Sequence, residues 1–252
     1  MQTLWPAPAG TPVDDDELAR VYGYPDGLTR PWVQANFVSS ADGAVTVDDQ
    51  SEGLSHPADK RIFLLGRDLA DVVLVGGGTV RAEGYRGVRT NATRRARRDR
   101  LGLSPIPPIA VVTGSAGISP DSPLLTDTEV PPIIVTTDAA SAERKRTLAG
   151  AGAEILIAGE QKVDLTAALA TLGSRGLRRV DCEGGPHLLA ELIAEDLVDQ
   201  LCLTVAPLLA GGGAGRIAIG RTSSAPRSME LASVLHEDGF TMLRYRKPGP
   251  PP

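Results

Sequence analysis

Val180-Asp181-Cys182-Glu183-Gly184-Gly185-Pro186-His187-Leu188-Leu189-Ala190-Glu191-Leu192-Ile193 runs from an apolar lead-in through two glycines and a proline into leucines at helical spacing. Leu188, Leu189, Leu192 and Ile193 form one apolar stripe, with Ala190 and Glu191 off it. Pro186 sits in what would be the first helical turn, where a missing N–H costs no intrahelical bond. The stretch therefore predicts a strand, a tight glycine turn and a helix. Such a junction aims free backbone N–H groups and the positive end of a helix dipole at one point, which suits a phosphate. Glycines at 184 and 185 let that phosphate come close, and Glu183 is expected to end the strand as an acid facing the same crevice.

A second junction of this kind lies upstream, in Val72-Val73-Leu74-Val75-Gly76-Gly77-Gly78-Thr79-Val80. Two glycine-built mouths at the carboxyl ends of apolar strands suit a dinucleotide, one for each part of a long ligand. Neither has a familiar phosphate fingerprint. G-x-G-x-x-G from Gly76 would need glycine where Arg81 stands, and no G-x-x-x-x-G-K-[ST] occurs.

Other strands are predicted at Trp32 to Ser40, Ile109 to Thr113, Ile133 to Thr137, Glu154 to Ile157 and Val198 to Pro207. A closing pair is expected at Met229 to Glu237 and Phe240 to Arg246, turned by Asp238-Gly239. Helices are predicted from Pro57 to Arg67, Ser141 to Ala149 and Leu165 to Leu172, the first of them capped by Ser55. Alternating strands and helices imply an α/β fold: a mostly parallel central sheet flanked by helices, with an antiparallel C-terminal strand pair. Residues 1–30 read as an ordered arm with a short helix from Asp14 to Val21, 31–247 as a single domain, and 248–252 as a disordered tail.

The chain has 252 residues, 42% of them hydrophobic but only 4% aromatic, so its core is expected to be aliphatic. A net charge of −5 argues against a protein built chiefly to hold nucleic acid. The one basic run, Arg94 to Arg100, reads as a solvated surface segment rather than a nucleic-acid patch. Cys182 and Cys202 lie in apolar runs and form no C-x-x-C, which fits a reducing cytoplasm and offers no zinc site. The N-terminus has no signal-peptide pattern and no window reaches a membrane-spanning length. His187 and His236 read as structural or solvent-facing, and His56 as a candidate for the pocket wall.

Arg30-Pro31-Trp32-Val33, Ser40-Ala41-Asp42-Gly43, Arg67, Val75-Gly76-Gly77-Gly78-Thr79-Val80, Glu183-Gly184-Gly185-Pro186, Leu197-Val198-Asp199 and Ala206-Pro207-Leu208-Leu209 occur in the order seen in one family. They resemble the reductase half of the bifunctional deaminase-reductase of riboflavin synthesis, which has the dihydrofolate reductase-like fold. No His-x-Glu with a partnering Cys-x-x-Cys occurs, so zinc-dependent deamination is not expected of this chain.

The resemblance implies NADPH as cofactor, lying across the two glycine mouths. Its cofactor set would be Val38, Gly76, Gly77, Gly78, Thr79, Glu83, Thr113, Gly114, Gly184, Gly185, Pro186, His187 and Leu188. Thr79 and Glu83 would flank the nicotinamide, and the Thr113-Gly114-Ser115 turn would lie near the adenosine ribose. Asn36, Ser51, Arg67, Arg89 and Glu183 would hold the substrate. Arginine suits a ribose phosphate because its planar fork binds phosphate oxygens in pairs. The implied chemistry is hydride transfer to the ribose carbon of a ribosylaminouracil phosphate, which relies mainly on alignment.

Three positions depart from the family. Asn36 stands where a lysine is usual, Gly53 where a tryptophan is usual, and Glu83-Gly84-Tyr85 replaces an acid-acid-proline run. Asp59, just inside the helix after the first loop, is similar to the carboxylate with which dihydrofolate reductases hold a pterin ring, so Asp59 and Glu183 are the candidate catalytic acids. Asp59 also reads as a simple helix-start acid. Three alternatives follow: a riboflavin-type reductase, a pterin reductase, and an NADP-binding protein without turnover. The long apolar run Val198 to Leu209 reads as the seam of a homodimer.

Overall fold

A computed structural model describes residues 1–6, 8–47, 50–220 and 225–249. In chain order the elements are β1 (Gln2–Trp5), β2 (Thr11–Pro12), α1 (Asp15–Tyr22), β3 (Trp32–Ser40), α2 (Pro57–Leu69), β4 (Val72–Gly76), α3 (Gly77–Ala82) and α4 (Ala92–Arg100). They continue as β5 (Ile109–Val112), α5 (Pro123–Thr126), β6 (Ile133–Thr136), α6 (Ala142–Gly150), β7 (Glu154–Ile157) and α7 (Leu165–Ser174). The chain closes through β8 (Arg179–Cys182), α8 (Pro186–Ala194), β9 (Gln200–Ala206), β10 (Glu230–Glu237) and β11 (Phe240–Arg246).

All strands join one sheet, in the order β2-β1-β10-β11-β9-β3-β8-β4-β5-β6-β7. From β9 to β7 every neighbour is parallel; from β9 outward through β11, β10, β1 and β2 every neighbour is antiparallel. The expected architecture is therefore present, with one extension. Residues 1–30, anticipated as an arm over the domain, contribute β1 and β2 to the sheet edge, and β1 pairs with β10. The exposed edge of β10 offers unpaired backbone groups, and β1 satisfies them.

The core follows the pleat. On β4, Val72 and Leu74 enter one apolar cluster with Leu169, Leu172, Leu188, Leu189 and Leu192 of α7 and α8. Val73 and Val75 point the other way, into a cluster with Val80 and Leu148. A third cluster sets Leu18 and Tyr22 of α1 and Ile62, Leu65 and Leu69 of α2 against Cys202 and Met242. So α2 covers one face of the sheet and α8 the other, and β8 lies between β3 and β4 with its carboxyl end open between them. That is where an open α/β sheet binds ligands.

Two local expectations change. The cap of α2 is His56, not Ser55: Nδ1 of His56 accepts the Ala58 N–H at 3.2 Å, and the ring stacks on Phe240 at 4.4 Å. Pro57 forces the residue before it into extended backbone, so His56 becomes the boundary residue. Ser55 instead donates to Asp59.

The basic run is not simply solvated. Asp68 of α2 pairs with Arg94 at 3.3 Å and Arg97 at 2.8 Å, and Arg98 is buried. Arg98 Nη1 donates to the carbonyls of Arg67 (2.8 Å), Asp68 (3.2 Å) and Ala70 (2.7 Å), where α2 ends without further backbone partners. The tail expected to be disordered from Pro248 lies, from Pro250 onward, outside the described residues. Among the described residues no helix is long and apolar enough to cross a membrane.

Candidate active site

The two glycine mouths are one ledge. Because β4 and β8 are neighbours, the Gly76 N–H donates to the Gly184 carbonyl at 2.7 Å. A β-carbon on Gly185 would stand 2.3 Å from Thr79 Oγ1, and one on Gly76 would stand 3.3 Å from the Gly185 nitrogen. The ledge runs on to β5, where a β-carbon on Gly77 would meet that of Thr113 at 3.1 Å. Gly114 accepts from Thr137 Oγ1 at 3.0 Å, tying the next turn to β6. Gly76, Gly77, Thr79, Thr113, Gly184 and Gly185 thus lie along one ledge, while Gly78 in α3 and Gly114 after Thr113 have open space where a β-carbon would stand.

Gly185 caps α8 and Pro186 opens it, and the first intrahelical bond runs from Leu189 N–H to the Gly185 carbonyl. Free first-turn amides of His187 and Leu188 therefore face the ledge's end of the helix. Their side chains go elsewhere: His187 is exposed and Leu188 is in the core. Val38 points from β3 toward the α2 side, and its register partner on β9 is Thr204.

Glu183, expected as an acid facing the crevice, is saturated. Arg67 reaches down from α2 and donates from Nε to Oε1 at 2.5 Å and from Nη2 to Oε2 at 2.8 Å. Tyr85 Oη donates to Oε2 at 2.7 Å, and the Glu183 side chain has 0% exposure. The Arg67 guanidinium also lies 4.6 Å from the Phe63 ring centre and 5.6 Å from that of Tyr85. Burial opposes the Arg67 charge, but the Glu183 carboxylate more than offsets it, so the guanidinium holds its proton more tightly than usual. Tyr85 is pushed well above the usual phenol range, by burial first and then by Glu183.

The remaining candidates divide. Ser51 N–H and Oγ donate to Glu83 Oε1 at 3.2 and 3.0 Å, which latches the loop before α2 onto the end of α3. A residue expected beside substrate and one expected beside cofactor therefore touch each other. Arg89 is exposed and pairs with Asp127. Asn36 is buried on β3, and its Nδ2 has no hydrogen-bond partner among the described residues. Asp59 is buried in the first turn of α2, where Ser55 donates to it at 3.0 Å and Thr204 also donates. Burial lifts its carboxyl above the ordinary range, and those two donors offset part of the rise. A cleft of about 450 Å³ opens beside the ends of β3 and β9, lined by Ser39, Asp42, Leu203, Gly212 and Arg216.

Sequence reasoning did not find Tyr85, Thr204 or Asp181. Tyr85 was visible only as a departure from an acid-acid-proline run; Gly84, at φ 60°, makes the turn that aims it at Glu183. For Asp181 a signal existed: acids at 181 and 183 on one strand must share a face.

Residues 31–239 match the family model of the RibD C-terminal domain. The chain is 32% identical over 184 residues to the 2,5-diamino-6-ribosylamino-4(3H)-pyrimidinone 5′-phosphate reductase of Archaeoglobus fulgidus, covering 73% of this chain and 83% of that one. A pyrimidine reductase-like protein from Corynebacterium diphtheriae superposes with a TM-score of 0.76 at 25% identity, over 87% of this chain and 93% of that chain. The riboflavin biosynthesis reductase of Saccharomyces cerevisiae shares the fold, with a TM-score of 0.63 at 19% identity, over 88% and 92%.

Proposed function

This chain belongs to the family of the RibD C-terminal domain, and on that premise we propose that it is an NADPH-dependent reductase of a ribosylaminopyrimidine 5′-phosphate in riboflavin biosynthesis. The observation that carries the cofactor reading is the side-chain-free ledge where Gly76, Gly184 and Gly185 meet Thr79. β-Carbons there would collide with Thr79, Phe37 or the Gly185 amide, so their absence lets the strand ends close into one backbone ledge, and a pyrophosphate approaches the amides beside it. The first-turn amides of α8 would hold the pyrophosphate, Thr113 and Gly114 would serve the adenosine ribose, and Val38, Thr79 and Glu83 the nicotinamide. Bound NADPH supplies a hydride. At the substrate, reduction would open the C1′–O ring bond, with hydride going to C1′ and a solvent proton to the freed ring oxygen, leaving a ribityl chain and the oxidised dinucleotide.

Arg67 and Asn36 border the substrate, with Ser51 and Arg89 nearer its entrance. Arg67 is the phosphate residue of this set, because one of its nitrogens remains uncommitted. The test is the loss of NADPH absorbance on adding the diaminopyrimidinone phosphate that the archaeal relative's name describes. No oxidation of NADPH by that compound or its deaminated uracil counterpart would overturn the reading. Tight NADPH binding with no oxidation by any heterocycle would instead mark a binding protein.

A second reading draws on Asp59. A buried carboxyl with a raised proton affinity, held by Ser55 and Thr204, can pair with two ring donors of a pterin. Dihydrofolate reduction that is lost in Asp59→Asn would favour it.

The protein works as a homodimer in this proposal, in a reducing cytoplasm that suits its two free buried thiols. Leu203, Val205, Leu243, Tyr245 and Val234 form a half-exposed apolar face across β9, β11 and β10, and Leu209 beyond it is 83% exposed. The mass in solution tests this; a monomer at working concentration would refute it.

A further inference from the structure

Asp181 and Glu183 stand two residues apart at the end of β8, so both carboxyls project toward the α2 side of the sheet. Glu183 has three donors. Neither oxygen of Asp181 has a hydrogen-bond partner among the described residues, although the residue is completely buried. Gly66 of α2 makes the space: a β-carbon there would stand 2.6 Å from Asp181 Oδ2. Because Gly66 immediately precedes Arg67, the idle carboxyl lies at the root of the side chain that grips Glu183.

The surroundings of Asp181 decide its charge. On its own strand it faces Glu183, and from α2 it faces Arg67. Its register partners are Gln34 on β3 and Val73 on β4. The Tyr24 and Tyr85 phenols and the Cys182 and Cys202 thiols also feel it, and burial is the first reason that each of them keeps its proton. A buried carboxylate with no donors and another carboxylate beside it is costly. Asp181 is therefore held well above the ordinary carboxylate range, by burial and then by Glu183, with Arg67 pulling the other way. Asp181 keeps its own proton while the Arg67 and Glu183 charges cancel, so the cluster is electrically neutral.

Arg67 retains one free nitrogen. Nε and Nη2 are committed to Glu183, while Nη1 has no hydrogen-bond partner among the described residues and is not sealed from solvent. We propose that Asp181 is a positioning residue for Arg67: as a neutral acid it leaves Nη1 free to take an anionic oxygen of a sugar phosphate. Once ionised, it competes for that nitrogen and places a second negative charge behind the site. This rests on the reading of Arg67 as a substrate-phosphate residue.

Ribose 5-phosphate is the probe, titrated by calorimetry into the wild type and Asp181→Asn from about pH 8, where the phosphate is almost fully ionised, upward through the ionisation of Asp181, which its carboxyl infrared band follows in the same samples. The wild-type Kd is expected to rise roughly tenfold across that range, as one added charge near a partly buried site would cause. Asp181→Asn, which copies the shape of the neutral acid, is expected to match the wild type at the low end and stay flat. Asp181→Val gives a second uncharged variant and is expected to be flat as well. A rise in both variants equal to the wild type's, or a flat wild type, overturns the proposal. No binding by folded wild type at any pH also overturns it, by removing Arg67 as a phosphate site. Oxidation of NADPH by the full substrate would still leave the reductase reading standing.

Discussion

Arg67 and Glu183, 116 residues apart in the chain, meet in a two-point ion pair that ties α2 to the end of β8 beside the glycine ledge. Planar fork and planar carboxylate match, and Tyr85 closes the remaining side of Glu183. The pair sets the distance between the helix over one face of the sheet and the strand whose end forms the site.

Arg67→Ala leaves the Glu183 carboxylate buried with only Tyr85 to answer it. About 3–5 kcal/mol of stability should be lost, as measured by urea unfolding. Arg67→Ala combined with Glu183→Gln should recover a large part, because no bare charge then stays inside. A single variant as stable as the wild type would show that the pair is no strut. The substrate KM should also rise more in Arg67→Ala than the NADPH Kd does.

Gly185→Ala puts a methyl group 2.3 Å from Thr79 Oγ1. Something must shift, and the ledge is what can shift. NADPH affinity should fall by about tenfold or more, a cost of about 1.4 kcal/mol or more. Adding Thr79→Ala should restore part of it by making room. Fluorescence titration gives both numbers, and unchanged affinity in Gly185→Ala would remove the pyrophosphate from this turn.

Asp181→Asn should stabilise the protein at neutral pH. The carboxyl binds its proton more tightly folded than unfolded, so its contribution is fully favourable below the ordinary carboxylate pKa of about 4 and is lost as pH rises toward the folded value. The amide carries no such dependence. The advantage of the variant should therefore grow from about pH 4 upward and vanish below it. Thermal melts across pH check this, and a gap of constant size would contradict it.

Arg98→Met keeps the apolar stem but removes the donors to three carbonyls at the end of α2, along with the bond to Ser104 O at 2.6 Å. About 3 kcal/mol or more of stability should be lost, because those carbonyls lie where water cannot replace the guanidinium. Arg95→Ala, on the exposed side of the same helix, should change stability by less than about 0.5 kcal/mol. Similar losses in the two would mean that the run is solvated after all.

Much of the fold was legible locally. The limits of Trp32–Ser40, Glu154–Ile157, Arg179–Cys182 and Phe240–Arg246 follow from apolar runs bounded by charged, glycine or proline punctuation, which acts within a few residues. The glycine ledge was legible for the same reason: a strand end, glycines and a proline-opened helix form a backbone site whose parts are contiguous in the chain. The partners of the side chains were not. Glu183 looked like a free acid because nothing near it in sequence announces Arg67 or Tyr85.

From the chain alone came the α/β class, the order of strands and helices, and the two glycine turns, all consequences of short-range backbone preference and hydrophobic period. Folding alone decided that the turns abut, that β1 seals the edge of β10, that three arginines of the basic run serve α2, and that Asp181 lies beneath Gly66. Those outcomes depend on strand order and register, which bring together residues far apart in the chain, as with Gln2 and His236. A buried polar side chain takes whichever partner that register supplies.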